Sequence, residues 1–225
     1  LIADLDIVTA ESTANDIRSA GNDAYPWHMD VSKSKDIEKT IDKAIALWGR
    51  LDILINNAFN VIDSSNTGGA LEASEEDWNY GMNVMVKSIF IGAKHAVPHM
   101  RNLGSGNIIN LSSVHGQLMA PGFLVYETAK AAVIGTTRQM ATEFGPMGIR
   151  VNAVCPGHMV TERLQKSLWD QNPSGLRFFN EQYPLRRVGR AHEIADAIAF
   201  LCSNEASFIT GSDFKIDGGF VTLNT

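Results

Sequence analysis

Hydrophobic residues follow two different patterns along the chain, and the two alternate. Short continuous apolar runs predict buried strands: LDILINNA at 51–58, NIINLSS at 107–113 and IRVNAVCPG at 149–157. Between such runs, apolar residues recur at helical spacing, as in KSKDIEKTIDKAIALWG at 33–49. Strands that alternate with helices predict βαβ units, and hence a parallel sheet covered on both faces.

The predicted fold is therefore α/β, a doubly wound parallel sheet in three layers, formed by one domain over residues 1–225. Two long helices are expected at 75–100 and 124–144, the second ending at Gly145. The segment 162–190 interrupts the alternation and is rich in aromatic residues and arginine. Because ligands of open α/β sheets lie beyond the carboxyl ends of the strands, we interpret this segment as a substrate lid.

Composition excludes several functional classes. A net charge of -6 gives no electrostatic basis for binding nucleic acid or an anionic membrane, and no apolar run is long enough to span a bilayer. The opening LIADLD is acidic and is not a signal peptide, and the distant Cys155 and Cys202 indicate free thiols, so a cytoplasmic protein is expected. No metal site is predicted, since HEIAD carries Asp196 where a zinc motif needs histidine.

The stretch YETAK brings candidate acid/base chemistry. Tyr126 and Lys130 are four residues apart near the start of a predicted helix, which places them on one face. A free tyrosine has a pKa of about 10, and a nearby ammonium favours the phenolate and lowers that value. The pair can therefore form an acid/base device, although the same spacing also occurs by chance in many helices.

Polar residues elsewhere could complete such a site. Ser112 and Ser113 end a predicted strand, and because side chains alternate along a strand only one of them can face a given site. A serine there could hold a substrate oxygen or could simply be a polar strand end. Asn83 falls inside a predicted helix, where asparagine is a poor former, so it is either functional or an ordinary surface residue.

Taken in order, these motifs resemble those of the short-chain dehydrogenase/reductase family. The resemblance covers essentially the whole chain, and its specificity comes from the ordered set rather than from any one motif. The matching motifs are DV at 30–31, NNA at 56–58, Asn83, SS at 112–113, YETAK at 126–130, PGHMVT at 156–161 and GSDFKIDGG at 211–219.

The resemblance implies an oxidoreductase that moves a hydride between a nicotinamide cofactor and a secondary alcohol or ketone. Tyr126 would be the acid/base, and Lys130 would lower its pKa and hold the nicotinamide ribose. Ser113 would orient the substrate oxygen, and Asn83 would anchor a water that relays protons from Lys130. A homotetramer that pairs the helices at about 75–100 and 124–144 is also implied.

The resemblance further implies a set of cofactor contacts. Asp30 and Val31 would lie at the adenine and Asn57 at the adenosine ribose. The carboxamide of the nicotinamide would be surrounded by four further residues, Pro156, Gly157, Met159 and Thr161.

Asp4 indicates which dinucleotide is used. It ends the first strand, where a carboxylate accepts hydrogen bonds from a ribose 2′-OH and repels a 2′-phosphate. No basic residue stands beside it, so NAD is expected rather than NADP.

Two departures from the family pattern are present. Phe59 follows NNA where the family usually has glycine, which is costly if that position needs a positive φ. The glycine-rich loop for the pyrophosphate is also missing, although it normally lies about 20 residues before an acid such as Asp4. We therefore expect the natural protein to carry roughly 25–35 further residues upstream.

The substrate is not identified by the sequence. Trp169, Phe178, Phe179 and Tyr183 could line an apolar pocket or pack on the body of the domain, and Arg177, Arg186 and Arg187 could meet an anion or solvent. The alternative function is a non-catalytic relative that senses a dinucleotide or binds a partner, which would not need Tyr126, Lys130 and Ser113 together. Turnover with NAD(H) distinguishes the two.

Overall fold

The computed structural model describes residues 1–59, 68–161 and 164–223. Its strands are β1 (Ile2–Asp4), β2 (Pro26–His28), β3 (Ile53–Asn56), β4 (Gly106–Leu111), β5 (Ile149–Pro156), β6 (Met159–Val160), β7 (Gly189–Arg190) and β8 (Asp213–Ile216). Its helices are α1 (Ile7–Ser19), α2 (Ser34–Trp48), α3 (Glu75–Met82), α4 (Ser88–Leu103), α5 (Leu124–Phe144), α6 (Pro173–Glu181), α7 (Ala191–Cys202) and α8 (Phe220–Leu223).

The central sheet is parallel, as the alternating pattern predicts. It has the order β3-β4-β5-β8, with Ile55 opposite Ile109 and Val154 opposite Phe214. A second parallel pair joins β1 to β2, with Ala3 opposite Trp27. All carboxyl ends in the central sheet point to one edge, and Asn57, Ser113 and Gly157 follow three of those ends.

Helices α2, α4 and α5 cover one face of the central sheet. Their apolar side chains meet those of β4 and β5 in one cluster that includes Ile41, Met100, Ile108, Val133 and Val151. Because Ile108 and Ile109 point to opposite faces of β4, Ile109 contributes to the cluster on the other side. The sheet is thus the middle layer of three, and the predicted three-layer α/β fold is confirmed.

Helix α7 covers the opposite face over β4, β5 and β8. Leu201 packs against Ile109, Leu111 and Val154. On β3 the same face is open, and Ile53 and Ile55 are 41% and 46% exposed. The half of the sheet that begins at β4 is therefore the better buried half, and the helix α5 that carries Tyr126 and Lys130 packs on it.

The long helix predicted at 75–100 is interrupted. Helix α3 ends at Met82, a π-helical turn occupies Asn83–Lys87, and α4 continues to Leu103 with Pro98 inside it. The backbone N–H of Ser88 donates to the carbonyl of Asn83, the i to i+5 bond that defines this turn. Wider turns of this kind are frequent at functional sites.

The segment 161–188 is flanked by two short strands, β6 before it and β7 after it. These strands pair in parallel, with Met159 opposite Gly189, so the two ends of the segment lie side by side. A Cβ at Gly189 would overlap the sulfur of Met159, so glycine lets the two strands approach. The predicted lid at 162–190 falls on this segment, and its residues 162 and 163 lie outside the described residues.

No described helix is long and apolar enough to cross a membrane. Within the same ranges, no group of three or more histidine, cysteine, aspartate or glutamate side chains is arranged to hold a metal ion.

Candidate active site

The two serines that follow β4 have different partners. The hydroxyl of Ser112 is buried and donates to the carbonyl of Lys130 at 2.7 Å. The oxygen of Ser113 accepts the backbone N–H of His115 at 3.1 Å, which leaves its own proton available to another acceptor. The side chain of Ser113 also acts to lower the pKa of Tyr126, so Ser113 is the serine that faces the tyrosine.

Tyr126 and Lys130 occupy the first turns of α5, beside the end of β4. The Nζ of Lys130 lies 5.6 Å from the centre of the Tyr126 ring. It donates to the carbonyl of Leu111, the last residue of β4, at 2.8 Å. Gly116 lets the intervening turn pack closely on α5, because a Cβ there would lie 2.8 Å from the carbonyl of Lys130. The structure thus brings Ser113, Tyr126 and Lys130 together.

Burial dominates the ionisation of both titratable groups. It raises the pKa of Tyr126, an effect that the side chain of Ser113 opposes and the charge of Glu127 reinforces. It lowers the pKa of Lys130 to about 8, since Lys130 is only 4% exposed. The pKa of Tyr126 is therefore raised here, whereas the family resemblance implies that Lys130 lowers it. Tyr126 is held as the neutral phenol, the form that can give up a proton.

Asn83 is placed by the π-helical turn at the end of α3. The turn packs on α5 through Val84 and Met85, which contact Ala129 and Tyr126. Val31, one of the predicted adenine contacts, packs against the same cluster. Sequence periodicity did not indicate this turn, because the apolar spacing continues through it.

The predicted adenine and ribose residues lie at the ends of β1, β2 and β3. Asp4 is exposed and one carboxylate oxygen accepts the N–H of Asp6 at 2.9 Å. Asp30 accepts the N–H and hydroxyl of Ser32 and pairs with Lys33 at 3.1 Å. Burial acts to raise the pKa of Asp30, but these contacts outweigh it and the pKa is lowered.

The end of β3 carries Asn57, which is exposed. Phe59 lies two residues further on and is the last residue before the undescribed 60–67. Among non-glycine residues that the structure describes, only Arg186 has a positive φ, at 55°. Phe59 therefore does not occupy the left-handed region, and the strain considered from the sequence is absent at this residue.

The PGHMVT stretch runs along the carboxyl end of β5 and into β6. Gly157 packs closely on the segment after β8, because a Cβ there would lie 3.0 Å from the Cα of Asp217. The N–H of His158 donates to the hydroxyl of Tyr183 at 2.8 Å. The hydroxyl oxygen of Thr161 accepts the N–H of Leu164 at 3.2 Å.

Most aromatic residues of the segment 161–188 pack on the body of the domain. Trp169 is buried and contacts Phe179, and both rings contact His158 at centroid distances of 5.3 and 5.0 Å. Tyr183 is buried as well, whereas Phe178 is 60% exposed. Trp169, Phe179 and Tyr183 thus have packing partners within the domain, whereas Phe178 is largely exposed.

The arginines of the segment are also partly engaged. Arg187 pairs with Glu193 through two hydrogen bonds of 2.8 and 2.6 Å. Arg186 donates to the carbonyl of Glu181 at 2.9 Å. An anion at this segment would have to compete with these contacts.

Two functional candidates were missed by the sequence analysis, His115 and Glu127. Glu127 is only 4% exposed, and its Oε1 lies 2.8 Å from Nδ1 of His115. The same carboxylate accepts the backbone N–H of Ala120 at 2.8 and 3.1 Å. An acid in the first turn of a helix is common, so the sequence gives no sign that this one is buried.

A nicotinamide dinucleotide is chemically compatible with these residues. Lys130 has three N–H donors and spends one on Leu111, so donors remain for ribose hydroxyls. The N-terminus of α1 is less suitable for a pyrophosphate, because Asp6 already accepts from Val8 and Thr9 there. Lys130, Asp4 and the strip from Pro156 to Thr161 are thus the groups that would hold such a cofactor.

Comparison with known proteins gives consistent matches over the whole chain. A family profile described as Enoyl-(Acyl carrier protein) reductase matches residues 1–221. The chain is 40% identical over 220 residues to an uncharacterized oxidoreductase of Thermotoga maritima, covering 97% of this chain and 85% of that protein. It is 35% identical over 212 residues to glucose 1-dehydrogenase 2 of Bacillus subtilis, covering 93% and 80%. The solved structure of ElxO with NADP bound superposes with a TM-score of 0.87 at 30% identity, covering 98% of this chain and 87% of that one.

Proposed function

The chain belongs to the short-chain dehydrogenase/reductase family, and we propose that it is an NAD-dependent enzyme that interconverts a secondary alcohol and a ketone. The observation that carries this proposal is the convergence of Ser113, Tyr126 and Lys130 at the end of β4. A partner-binding or sensing relative has no use for a phenol, a hydroxyl and a buried ammonium in one place. Family membership supports an oxidoreductase, and these residues support the reaction.

In the proposed mechanism Tyr126 exchanges a proton with the substrate oxygen. The oxygen of Ser113 accepts from His115, and its hydroxyl proton can be donated to the substrate oxygen to orient it. The nicotinamide, when bound, supplies or accepts the hydride. Lys130 stands beside the phenol and stabilises the phenolate that forms when Tyr126 gives up its proton to a ketone. Asn83 anchors a proton relay from Lys130.

The raised pKa of Tyr126 affects ketone reduction and alcohol oxidation differently. At neutral pH the phenol is protonated, so it is ready to protonate a ketone oxygen. In alcohol oxidation the phenol has to be deprotonated first, so the oxidation rate should increase as the pH rises toward the pKa of Tyr126. The pH profiles of the two directions should therefore differ.

The preference for NAD rests on Asp4, because its exposed carboxylate would repel a 2′-phosphate. The ElxO structure contains NADP, so likeness to that protein does not favour NAD. The other dinucleotide contacts proposed here are Asp30, Val31, Asn57, Pro156, Gly157, Met159 and Thr161.

We propose the segment at about 162–190 as the substrate lid. We also propose a homotetramer in the cytoplasm as the assembled form. Exposed Phe90 on α4 and Phe208 near the C-terminus support subunit contacts on two different surfaces. The free thiols of Cys155 and Cys202 support a reducing compartment.

The test of the proposed function is turnover of a panel of secondary alcohols and ketones with NAD(H) and NADP(H). Tyr126→Phe removes only the hydroxyl, and we expect it to reduce turnover by about 10²-fold or more. Tyr25→Phe is the matched control, because this half-exposed tyrosine interacts with Lys43 through its ring. Absence of turnover with either cofactor, or a Tyr126→Phe variant as active as the control, contradicts the proposal.

A further inference from the structure

His115 is a polar group beside the reacting position that the proposed mechanism does not use. It lies two residues after Ser113, and its ring centre is 6.3 Å from that of Tyr126 in an edge-on arrangement. Its side chain is 38% exposed, so a substrate held between Ser113 and Tyr126 can reach it. On the other side the ring of Phe123 lies 6.3 Å away.

The buried carboxylate of Glu127 determines which nitrogen of His115 carries the proton. The Oε1 of Glu127 accepts the N–H of Ala120 at 2.8 Å, and it lies 2.8 Å from Nδ1 of His115. Because the Glu127 carboxylate already acts as the acceptor for the N–H of Ala120, we assign Nδ1 as the donor in its contact with His115. In the neutral imidazole, Nε2 is then left as an acceptor with a free lone pair.

The position of this acceptor is fixed rather than adaptable. Glu127 is 4% exposed and is held by two contacts to the backbone of Ala120, so it has little freedom to move. The backbone N–H of His115 is tied to Ser113 at 3.1 Å. Within residues 1–59, 68–161 and 164–223, no group forms a hydrogen bond with Nε2.

We propose that Nε2 of His115 accepts a hydrogen bond from a second hydroxyl of the substrate, on the carbon next to the one that is oxidised or reduced. The substrate class is therefore a vicinal diol or an α-hydroxyketone. This inference rests on the proposed function, because it assumes that the reacting oxygen lies at Ser113 and Tyr126. The His115 ring lies 6.3 Å from the Tyr126 ring, near enough for a hydroxyl on the next carbon of a bound substrate to be its partner.

The experiment compares matched substrates in the wild type and in two variants. Butane-2,3-diol and butan-2-ol differ by one hydroxyl. A substitution that changes kcat/KM equally for both alcohols leaves the ratio of the two values unchanged, so the ratio reports only on the extra hydroxyl. We expect the wild type to prefer the diol and His115→Leu to reduce the ratio by about threefold to tenfold, as the loss of one hydrogen bond implies. His115→Gln, which can present an acceptor, should retain more of the ratio than His115→Leu.

The outcomes separate this inference from the proposed function. If the wild type turns over no member of the alcohol and ketone panel, the proposed function fails and the inference fails with it. If it turns over other members of the panel but not butane-2,3-diol, only the inference is overturned. If it oxidises both but shows no preference for the diol, or if His115→Leu keeps the preference, only the inference is overturned. A further pair, lactate and propan-2-ol, tests a carboxylate instead of a hydroxyl. A loss of discrimination confined to that pair would show that His115 acts as a charged donor and would also overturn the inference.

Discussion

At neutral pH, the substitution Lys130→Met should abolish turnover without lowering the stability of the folded protein. Lys130 is buried, and its pKa falls from 10.5 to about 8 because the charged form is desolvated. That difference corresponds to roughly 3 kcal/mol against the ammonium in the folded state. Methionine has a similar length and no charge, so it removes this unfavourable contribution. It also removes the hydrogen bond to the carbonyl of Leu111, which costs about 1–3 kcal/mol.

The sign of the pH dependence follows from the lowered pKa. Below pH 8 the amine is protonated in both folded and unfolded chains, and the full unfavourable contribution is present. Between pH 8 and 10.5 the folded chain loses its proton first, so the wild type gains stability as the pH rises. Lys130→Met should therefore be as stable as the wild type, or up to about 2 kcal/mol more stable, at neutral pH. Near pH 10.5 it should be less stable by about 1–3 kcal/mol.

The assay is urea unfolding of both proteins at neutral pH, near pH 9 and near pH 10.5. Other titrating groups are common to both chains and cancel in the difference. Lys39→Met is the control, since Lys39 is exposed on α2 and its replacement leaves the buried amine of Lys130 in place. At neutral pH the Lys130 variant should also lose turnover and bind NADH more weakly. A stability difference that is equal at all pH values contradicts this account of Lys130.

Three other predictions concern the cofactor, the core and the assembly. Asp4→Asn keeps the oxygen that accepts from Asp6 but removes the charge, so the ratio of kcat/KM for NAD to that for NADP should fall; an unchanged ratio contradicts the role of Asp4. Asn110→Leu removes the buried amide that links Asn56 and Thr137, and it should destabilise the protein to urea by about 2–5 kcal/mol, because both partners lose a buried hydrogen bond. Light scattering at micromolar concentration should give the mass of a tetramer, and a monomer would contradict the proposed assembly.

The fold was predictable because each element is specified locally. Buried strands such as β4 and β5 are continuous apolar runs, and α2 has a clear helical spacing. The alternation of strands and helices then leaves a parallel sheet as the natural arrangement. The π-helical turn at Asn83 was not predictable in this way, since it changes the hydrogen bonding of a helix without changing its apolar pattern.

The candidate site was predictable to the extent that it depends on spacing. The four-residue interval fixes Tyr126 and Lys130 on one side of α5, and strand alternation separates Ser113 from Ser112. The contact between Glu127 and His115 depends instead on how the turn after β4 folds back over α5. A tertiary contact of this kind produces no periodic pattern in the sequence, so neither Glu127 nor His115 could be identified as a site residue from the sequence.

The pairing of β6 with β7 also bears on how proteins of this architecture acquire new substrates. Because both ends of the segment 161–188 are fastened side by side, the sheet does not constrain the number of residues between them. Doubling the length of such a loop adds only about 0.6 kcal/mol of closure entropy. The length and sequence of the segment can therefore change while the proposed acid/base residues on α5 stay in place. Changes within the segment, beyond the proposed cofactor contact at Thr161, are therefore a route to new substrate specificities, and a laboratory recombination of segments between relatives could test it.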